Sequence, residues 1–287
     1  MPSFRFPRTA LVATLVGTLL LGAGAAVSSA DPLDRVRRLV DPQQQQQQQE
    51  EPPTRAERTM RVGTFNIMGS IHTSGGDERR TARIAHQLQQ REVGLVGLQE
   101  VQPDQLRVLR DRMPRFRFSP GPQSEDQGFQ LQVAWRHQRF DLLDRGYVRT
   151  PFNDSRRRTP WVRLRHEATG RRISVIDVHN PSQGQEGNRD QATRQEIDLF
   201  QRLRDRGAVL LVGDANEKAE WFCRVTGATD ARAANGGSHG DRGRRPPEPA
   251  SIDWLMGGGP FAWGGYERDD VETSDHAIHT ARLRWRR

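Results

Sequence analysis

The sequence is poor in residues that could cross-link or anchor the chain. Its 287 residues include one cysteine, Cys223, and one lysine, Lys218. A single cysteine excludes an intramolecular disulfide, so stability must come from the core, where we expect Cys223 to be a small buried apolar residue. The net charge of +8 is carried almost entirely by arginine, which attracts polyanions, although arginines can also be solvated without binding anything.

Long hydrophobic runs are missing after residue 30, which argues against a later membrane-spanning helix. The N-terminus carries Arg5 and Arg8, then an uncharged run at 10–27 and small residues that end at Ala30. This order is typical of a secretory signal peptide; a membrane anchor is the alternative, which the glycines within the run disfavour. The sequence therefore predicts that residues 1–30 are removed and that the protein is secreted, with no stable membrane insertion after cleavage.

Residues 31–60 contain few apolar residues and include an unbroken run of glutamines at 43–49. Such a composition cannot offset the entropy lost on folding, so we expect a flexible linker. The remaining residues, 61–287, are enough for one domain with a single good-sized core. We expect this domain to carry the function as a monomer.

Short apolar runs alternate with helical periodicity after residue 60, which predicts an α/β domain. Strands are predicted at 61–68, 93–98, 131–135, 173–178, 208–212 and 252–256. Helices are predicted at 77–91, 189–206 and 217–225. Clusters of glycine, proline and polar residues predict loops at 119–128 and 235–249, and we expect a third loop at 152–160.

Several of these strands stop at a residue that could bind a metal or transfer a proton. Each such residue alone is commonly a turn or helix cap. Strand ends on one edge of a sheet converge in space, however, so the whole set predicts one polar site. Its members are Asn66, Glu100, His179 with Asn180, Asp214 with Asn216, Asp253, and Asp275 with His276.

The same residues lie in motifs with a characteristic order. They are Thr64-Phe65-Asn66, Leu98-Gln99-Glu100-Val101, Val178-His179-Asn180, Gly213-Asp214-Ala215-Asn216, Ile252-Asp253 and Ser274-Asp275-His276. Over essentially all of 61–287 the chain resembles the endonuclease/exonuclease/phosphatase superfamily, which includes pancreatic-type deoxyribonuclease, abasic-site endonucleases, inositol polyphosphate 5-phosphatases and sphingomyelinases. The resemblance implies a four-layer sandwich, with two mixed β-sheets packed face to face and helices outside.

The resemblance also implies a divalent metal, Mg²⁺ or Mn²⁺. Glu100 would hold the ion, Asn66 would supply an oxygen, and Asp275 would make a further contact. These residues offer oxygen ligands, which hard cations such as Mg²⁺ prefer. The metal would offset the charge that develops on the phosphoryl oxygens.

Catalytic roles follow from the same resemblance. Asp214 would act as general base toward the attacking water, and Asn216 would position that water or a phosphate oxygen. His276 would contact the scissile phosphate, with its ring oriented by Asp253. His179 would stabilise or protonate the leaving oxygen.

One position departs from the pancreatic-type pattern. Those enzymes place a glutamate just before the strand that corresponds to residues 131–135, where it orients the first histidine. Here Gln130 or Gln132 would have to substitute, and a neutral partner would raise the pKa of His179 less than a carboxylate would.

Three functions are compatible with the sequence. We favour a secreted phosphodiesterase that cleaves DNA or RNA; the alternative is a phosphomonoesterase, or a sphingomyelinase-like or inositol-phosphatase-like hydrolase of a small or lipid phosphate. An inactive binding module is the third, which the filled catalytic positions disfavour. The aromatic clusters Trp221-Phe222 and Phe261-Ala262-Trp263 are expected in the core rather than in a membrane-binding hairpin. Two arginine clusters, 156–158 and 242–245, would either contact phosphates beside the scissile one or be solvated.

Overall fold

The computed structural model describes residues 52–73, 77–123, 131–182, 184–240 and 243–286. The predicted signal peptide and most of the predicted linker lie outside the described residues, as do Gln130 and Arg242. Within the described ranges, no helix is both long and apolar enough to cross a membrane.

The first of two six-stranded sheets contains the amino- and carboxyl-terminal strands of the domain. Only its β1–β2 pair is parallel; the other neighbouring pairs are antiparallel. In order across the sheet the strands are β13 Phe261–Asp269, β14 Ile278–Trp285, β1 Thr59–Asn66, β2 Val93–Gln99, β4 Gln132–Arg136 and β3 Phe116–Ser119.

The second sheet is built in the same way around the parallel pair β7–β8. Its strands, in order, are β5 Phe140–Phe152, β6 Ser155–His166, β7 Arg172–His179, β8 Ala208–Asp214, β12 Asp253–Gly258 and β9 Arg232–Ala233. A separate short hairpin joins β10 Ser238–Gly240 to β11 Gly243–Arg245.

Among the described residues, four α-helices cover the outer faces of the two sheets, together with 3₁₀ turns at Ser70–His72 and Gly121–Gln123. Helices α1 (Asp77–Gln90) and α2 (Pro103–Arg112) pack on the first sheet, and α3 (Glu186–Arg204) and α4 (Ala219–Ala228) pack on the second. A third apolar cluster fills the space between the sheets. The predicted four-layer sandwich is therefore confirmed.

The sheets approach each other closely at Gly97 in the centre of β2. A Cβ at this position would lie 2.5 Å from Asp177 Oδ1 and 2.7 Å from Val212 Cγ2, both on the second sheet. Asp177 is fully buried, and its Oδ1 accepts a hydrogen bond of 2.6 Å from Gln99 Nε2 on the first sheet. Burial raises the pKa of Asp177 well above its usual value. This polar link ties β2 to β7 immediately before both strands reach the polar edge.

All six predicted strands and all three predicted helices are present, with ends shifted by a few residues. The prediction of a loop at 152–160 was wrong, because β5 and β6 form a long hairpin there. Its strands carry many exposed charged residues, since β5 is an edge strand, and they lack the apolar run that marks a buried strand. The loop predicted at 235–249 contains the β10–β11 hairpin, and helix α2 and strands β3, β9 and β13 were not predicted.

The aromatic clusters lie mainly in the core. Trp221 and Phe222 are fully buried against the second sheet, and Phe261 is 5% exposed. Trp263 and Cys223 are only partly buried, so the expectation that Cys223 is a buried residue was wrong.

Candidate active site

The two parallel strand pairs bring the predicted site residues to one edge of the sandwich. Strand β1 ends at Asn66, which pairs with Gln99 immediately before Glu100. On the second sheet, His179 at the end of β7 pairs with Asp214 at the end of β8. Strand β12 runs in the opposite direction, so its first residue, Asp253, pairs with Asp214. Parallel strands end together, which is why apolar runs distant in sequence deliver their last residues to one place.

Asp214 lies at the centre of this edge and is 1% exposed. Its Oδ2 accepts a hydrogen bond of 3.2 Å from Asn66 Nδ2 and lies 3.7 Å from His276 Nε2 and 3.8 Å from His179 Nε2. Its Oδ1 accepts a 2.9 Å bond from the backbone N–H of Asn216. Burial, followed by the negative charge of Asp253, raises the pKa of Asp214 to about 7. A carboxylate with such a pKa can both take up and release a proton near neutral pH.

His276 is held by Asp253, as the resemblance implied. Its Nδ1 lies 3.0 Å and 3.1 Å from the two carboxylate oxygens. Burial alone would lower the pKa of His276, but the hydrogen bond and charge of Asp253, with the charge of Asp214, raise it to about 9. With Nδ1–H donating to Asp253, Nε2 faces Asp214 and Asn66. The ring can therefore present a fixed Nε2–H donor to an anionic group.

Glu100 and Asn66 form the side of the site that was predicted to bind metal. Glu100 Oε1 accepts a 3.0 Å bond from Asn66 Nδ2, and Oε2 accepts a 3.0 Å bond from the backbone N–H of Gly69. Glu100 has a left-handed backbone (φ 63°), a strained conformation for a residue with a Cβ, which turns the chain sharply after β2. Asn66 Oδ1 accepts from the backbone N–H of Met68, so Asn66 presents its NH₂ rather than the expected oxygen to the carboxylates.

The donor set fits a divalent cation. Asp214, Asp253 and His276 offer ligand atoms that lie within 4.8 Å of one another. The carboxylate of Glu100 is joined to that of Asp214 through the NH₂ of Asn66. Several carboxylates in so small a volume repel one another, and a bound cation would offset this repulsion.

Asp275 lies at the rim of the site. It is exposed, and its Oδ1 accepts a 3.3 Å bond from Ser274 Oγ. With Asp253 and His276 it lines an open cavity of about 730 Å³ that also includes the exposed Lys218. The adjacent Ser274 Oγ donates a 2.7 Å bond to the backbone carbonyl of Asn66, so the segment that carries Asp275 lies beside Asn66.

His179 faces the same oxygen of Asp214 as His276 does, with its Nε2 3.8 Å from Oδ2. Burial, followed by the positive charges of Arg157 and His276, lowers the pKa of His179 well below its usual value. Its ring contacts Phe152 edge to face, with 5.6 Å between the ring centroids. Of the two glutamines considered as substitutes for an orienting glutamate, Gln132 instead accepts a 2.9 Å bond from the N–H of Gly121, and Gln130 lies outside the described residues.

Both the backbone and the side chain of Asn216 are held in place by the surrounding loops. Its backbone φ of 50° is left-handed, and its Nδ2 donates a 2.9 Å bond to the carbonyl of Asn180. Asn180 Nδ2 in turn donates to Glu196 Oε2 at 3.4 Å. The amide nitrogen of Asn216 is thus used to hold the loop after β7, which leaves its oxygen for a water molecule or substrate.

Two residues that lie behind Asp253, Tyr266 and His279, were not identified from the sequence. His279 is 1% exposed, with its Nδ1 2.7 Å from the hydroxyl of Tyr266 and its Nε2 3.8 Å from Asp253 Oδ2. A histidine three residues after His276, at the start of β14, was the available signal. Glu196 carried no such signal, because it lies in the middle of an ordinary helix.

The first arginine cluster does not lie in a loop. Arg157 is 7% exposed, its guanidinium stacks 3.3 Å from the centroid of the Phe152 ring, and it donates a 2.9 Å bond to the carbonyl of His179. Arg158 stacks over Tyr147 at 4.7 Å. These contacts assign Arg157 and Arg158 to the fold and the support of His179. In the second cluster, Arg244 and Arg245 are exposed on β11.

Comparison with known proteins places this geometry in a family. None of the curated proteins matches the sequence. The profile of the Endonuclease/Exonuclease/phosphatase family matches residues 63–281, a span that contains every predicted site residue.

Solved structures share the fold at low sequence identity. An endonuclease/exonuclease/phosphatase family protein from Bacteroides thetaiotaomicron is 18% identical, with a TM-score of 0.63, and the match covers 82% of this chain and 99% of that one. A mannosyl-6-phosphatase from the same organism is 17% identical, with a TM-score of 0.60 and coverage of 78% and 99%. The catalytic domain of human Nocturnin with a bound sulfate anion is 14% identical, with a TM-score of 0.61 and coverage of 82% and 96%. This chain belongs to the endonuclease/exonuclease/phosphatase family, whose members hydrolyse phosphoesters.

Proposed function

We propose that this protein is a secreted, Mg²⁺-dependent phosphodiesterase that cleaves nucleic acid. The observation that carries the proposal is the position of Asp214, a buried carboxylate that lies within 4 Å of two imidazoles and accepts a hydrogen bond from Asn66. A general base, two hydrogen-bond donors for phosphate oxygens and a metal-binding carboxylate, Glu100, are the groups that phosphodiester hydrolysis requires.

A divalent cation, held by Glu100 with Asp214 close by, would supply positive charge that stabilises the phosphoryl oxygens. Asp214 takes the proton of the attacking water through Oδ2, while the N–H of Asn216 fixes its other oxygen. His276, held at Nδ1 by Asp253, donates from Nε2 to a non-bridging phosphate oxygen. His179 hydrogen-bonds to the leaving oxygen.

Nucleic acid is favoured among phosphoester substrates by charge and by the shape of the site. The net charge of +8 attracts polyanions, and the cavity beside His276 is open to solvent. A lipid substrate is less favoured, since three of the aromatic residues that could have entered a membrane, Trp221, Phe222 and Phe261, are buried and Trp263 is partly buried.

The test is a substrate panel with the full chain, expressed with its own N-terminus and recovered from the culture medium. Plasmid DNA, RNA, bis(p-nitrophenyl) phosphate and p-nitrophenyl phosphate are each assayed with Mg²⁺. We expect cleavage of nucleic acid and of the diester. Recovery only from the cell interior would contradict secretion, and hydrolysis of the monoester alone would make the protein a phosphomonoesterase.

The role of Asp214 is tested by Asp214→Asn, with Asp190→Asn as the matched control. Asp190 is a partly buried carboxylate paired with Arg224 on the helical side of the second sheet. Removing a general base lowers turnover by about 10²- to 10⁴-fold, whereas the control should retain wild-type turnover. Equal turnover in the two variants, both folded by circular dichroism, would refute the assignment.

A further inference from the structure

A pocket lined by arginines lies where the outer edges of the two sheets meet helix α2. Four arginines line a cavity of about 440 Å³: Arg107 and Arg110 on α2, Arg117 on β3 and Arg145 on β5. Asp111 is the one acidic residue among its described lining residues. We refer to this cavity as the arginine pocket.

The four arginines of the arginine pocket lie around one cavity and have no carboxylate partner among its described lining residues. All four are exposed, and within the described part of the chain none of them forms an ion pair. Elsewhere, Arg91 pairs with Asp269 at 2.8 Å, Arg204 pairs with Asp230 at 2.9 Å, and Arg224 pairs with Asp190. Like charges gathered around one concave space repel each other and focus a positive potential into it, and an anion would relieve that repulsion.

The arginine pocket is close to the candidate active site along the first sheet. Ser119 at the end of β3 pairs with Val133, which pairs with Gly97 of β2, so two strand spacings, about 10 Å, separate the edge of the pocket from the strand that ends at Glu100. Gly121, which lines the pocket, donates its N–H to Gln132 Oε1 at 2.9 Å. Gln132 is the cross-strand partner of Leu98, two residues before Glu100.

We propose that the arginine pocket binds phosphates of the nucleic-acid strand about three nucleotides from the scissile phosphate. This inference rests on the proposed function. At ~3.4 Å of helix axis per nucleotide in one strand of a duplex, the ~10 Å between the strand that ends at Glu100 and the pocket corresponds to about three nucleotides. Guanidinium groups bind phosphate oxygens through two parallel hydrogen bonds, and four of them from three separate elements can surround one or two phosphates. A concave pocket suits a strand, because a flat anionic membrane would touch only its rim.

Binding is measured with the full chain carrying Asp214→Asn, without metal, so that DNA is bound and not cleaved. A fluorescent 20-nucleotide single strand is titrated over a salt series in three proteins: this parent, the parent with Arg117→Gln and Arg145→Gln, and the parent with Arg202→Gln and Arg206→Gln. The last pair is the matched control, since it removes the same charge from exposed positions at the end of α3.

We expect the pocket substitutions to lower the slope of log affinity against log salt by ~0.7 for each lost phosphate contact. That change corresponds to about a fivefold loss of affinity at 0.1 M relative to 1 M salt for each contact. The control pair should leave the slope unchanged. Equal slopes in all three proteins, or equal decreases in both substituted proteins, would overturn the inference, and so would arginine-dependent binding to phosphatidylserine vesicles without DNA binding.

A cleavage assay separates this inference from the proposed function. With Asp214 intact, the ratio of the KM for the 20-nucleotide strand to the KM for bis(p-nitrophenyl) phosphate should rise in the pocket variant and stay at the wild-type value in the control pair. If DNA is cleaved and both variants keep the wild-type ratio, the pocket inference is wrong and the proposed function stands. If DNA binds through the pocket but the wild type hydrolyses no nucleic acid, the proposed function is wrong, whereas the inference that the pocket binds phosphates is supported.

Discussion

Glu196 offers a test of how burial affects an acid behind the candidate active site. This glutamate on helix α3 is fully buried, and its Oε2 accepts hydrogen bonds from Trp221 Nε1 at 3.2 Å and from Asn180 Nδ2 at 3.4 Å. Asn180 in turn accepts from Asn216 beside Asp214. Burial raises the pKa of Glu196 to about 7, against the opposing effect of the two hydrogen bonds.

The raised pKa of Glu196 determines how the stability of the fold changes with pH. Because the pKa of Glu196 is higher in the folded than in the unfolded protein, the fold favours the protonated acid. The resulting stabilisation is fully present below pH 4.5, the usual pKa of glutamate, and is lost as the pH rises through 7. A pKa difference of ~2.5 units at ~1.4 kcal/mol each gives a loss of about 3 kcal/mol across this range.

Glu196→Gln removes the titrating group and keeps an oxygen that can accept both hydrogen bonds. The free energy of unfolding is measured by urea denaturation between pH 4.5 and pH 8 for the wild type, Glu196→Gln and Glu78→Gln. Glu78 is an exposed carboxylate on helix α1, so its substitution corrects for the loss of one negative charge. The stability of Glu196→Gln relative to the wild type should rise with pH by about 3 kcal/mol. A difference that stays constant over this range, after that correction, would refute the reasoning.

Three further predictions concern the site and the contact between the sheets. Asp253→Asn should lower kcat by about 10- to 150-fold, the equivalent of a charge-assisted hydrogen bond of ~1.5–3 kcal/mol to His276, and steady-state kinetics that show an unchanged kcat would contradict it. Gly97→Ala should destabilise the fold by ~1–3 kcal/mol in urea denaturation, because its Cβ would overlap Asp177 at 2.5 Å, whereas Gly63→Ala, with a nearest contact of 3.3 Å, should cost less. Excess chelator should abolish activity and Mg²⁺ or Mn²⁺ restore it, with Glu100→Gln requiring more metal for half-maximal rate; full activity in chelator would exclude a metal-dependent mechanism.

Composition alone could not distinguish arginines that stabilise the fold from arginines that are available to bind an anion. The sequence showed Arg156, Arg157 and Arg158 as one cluster, whereas the structure buries Arg157 against Phe152 and His179 and leaves Arg156 exposed. The arginine pocket joins Arg107, Arg110 and Arg117 of the consecutive elements α2 and β3 to Arg145 of β5, a strand of the other sheet. Whether an arginine pairs with a carboxylate, an aromatic ring or nothing depends on neighbours that only the folded chain provides.

What the sequence by itself determined are the buried strands and the residues that follow them. Strands β2 and β8 are buried along their whole length, so they appear as continuous apolar runs, and a polar residue ends each run at Glu100 and Asp214. The edge hairpin β5–β6 lacks such a run, because charged residues are tolerated on exposed strands.

Only the tertiary structure decided how the ends of those strands meet. It placed Asp253 opposite Asp214, although β12 runs against β8, and it added Tyr266 and His279 behind Asp253. It also left Asp275 exposed at the rim of the cavity beside His276. The physical reason is that these contacts, and the pKa shifts that burial causes, join residues far apart in the chain, whose distances depend on strand order and sheet packing rather than on local residue pattern.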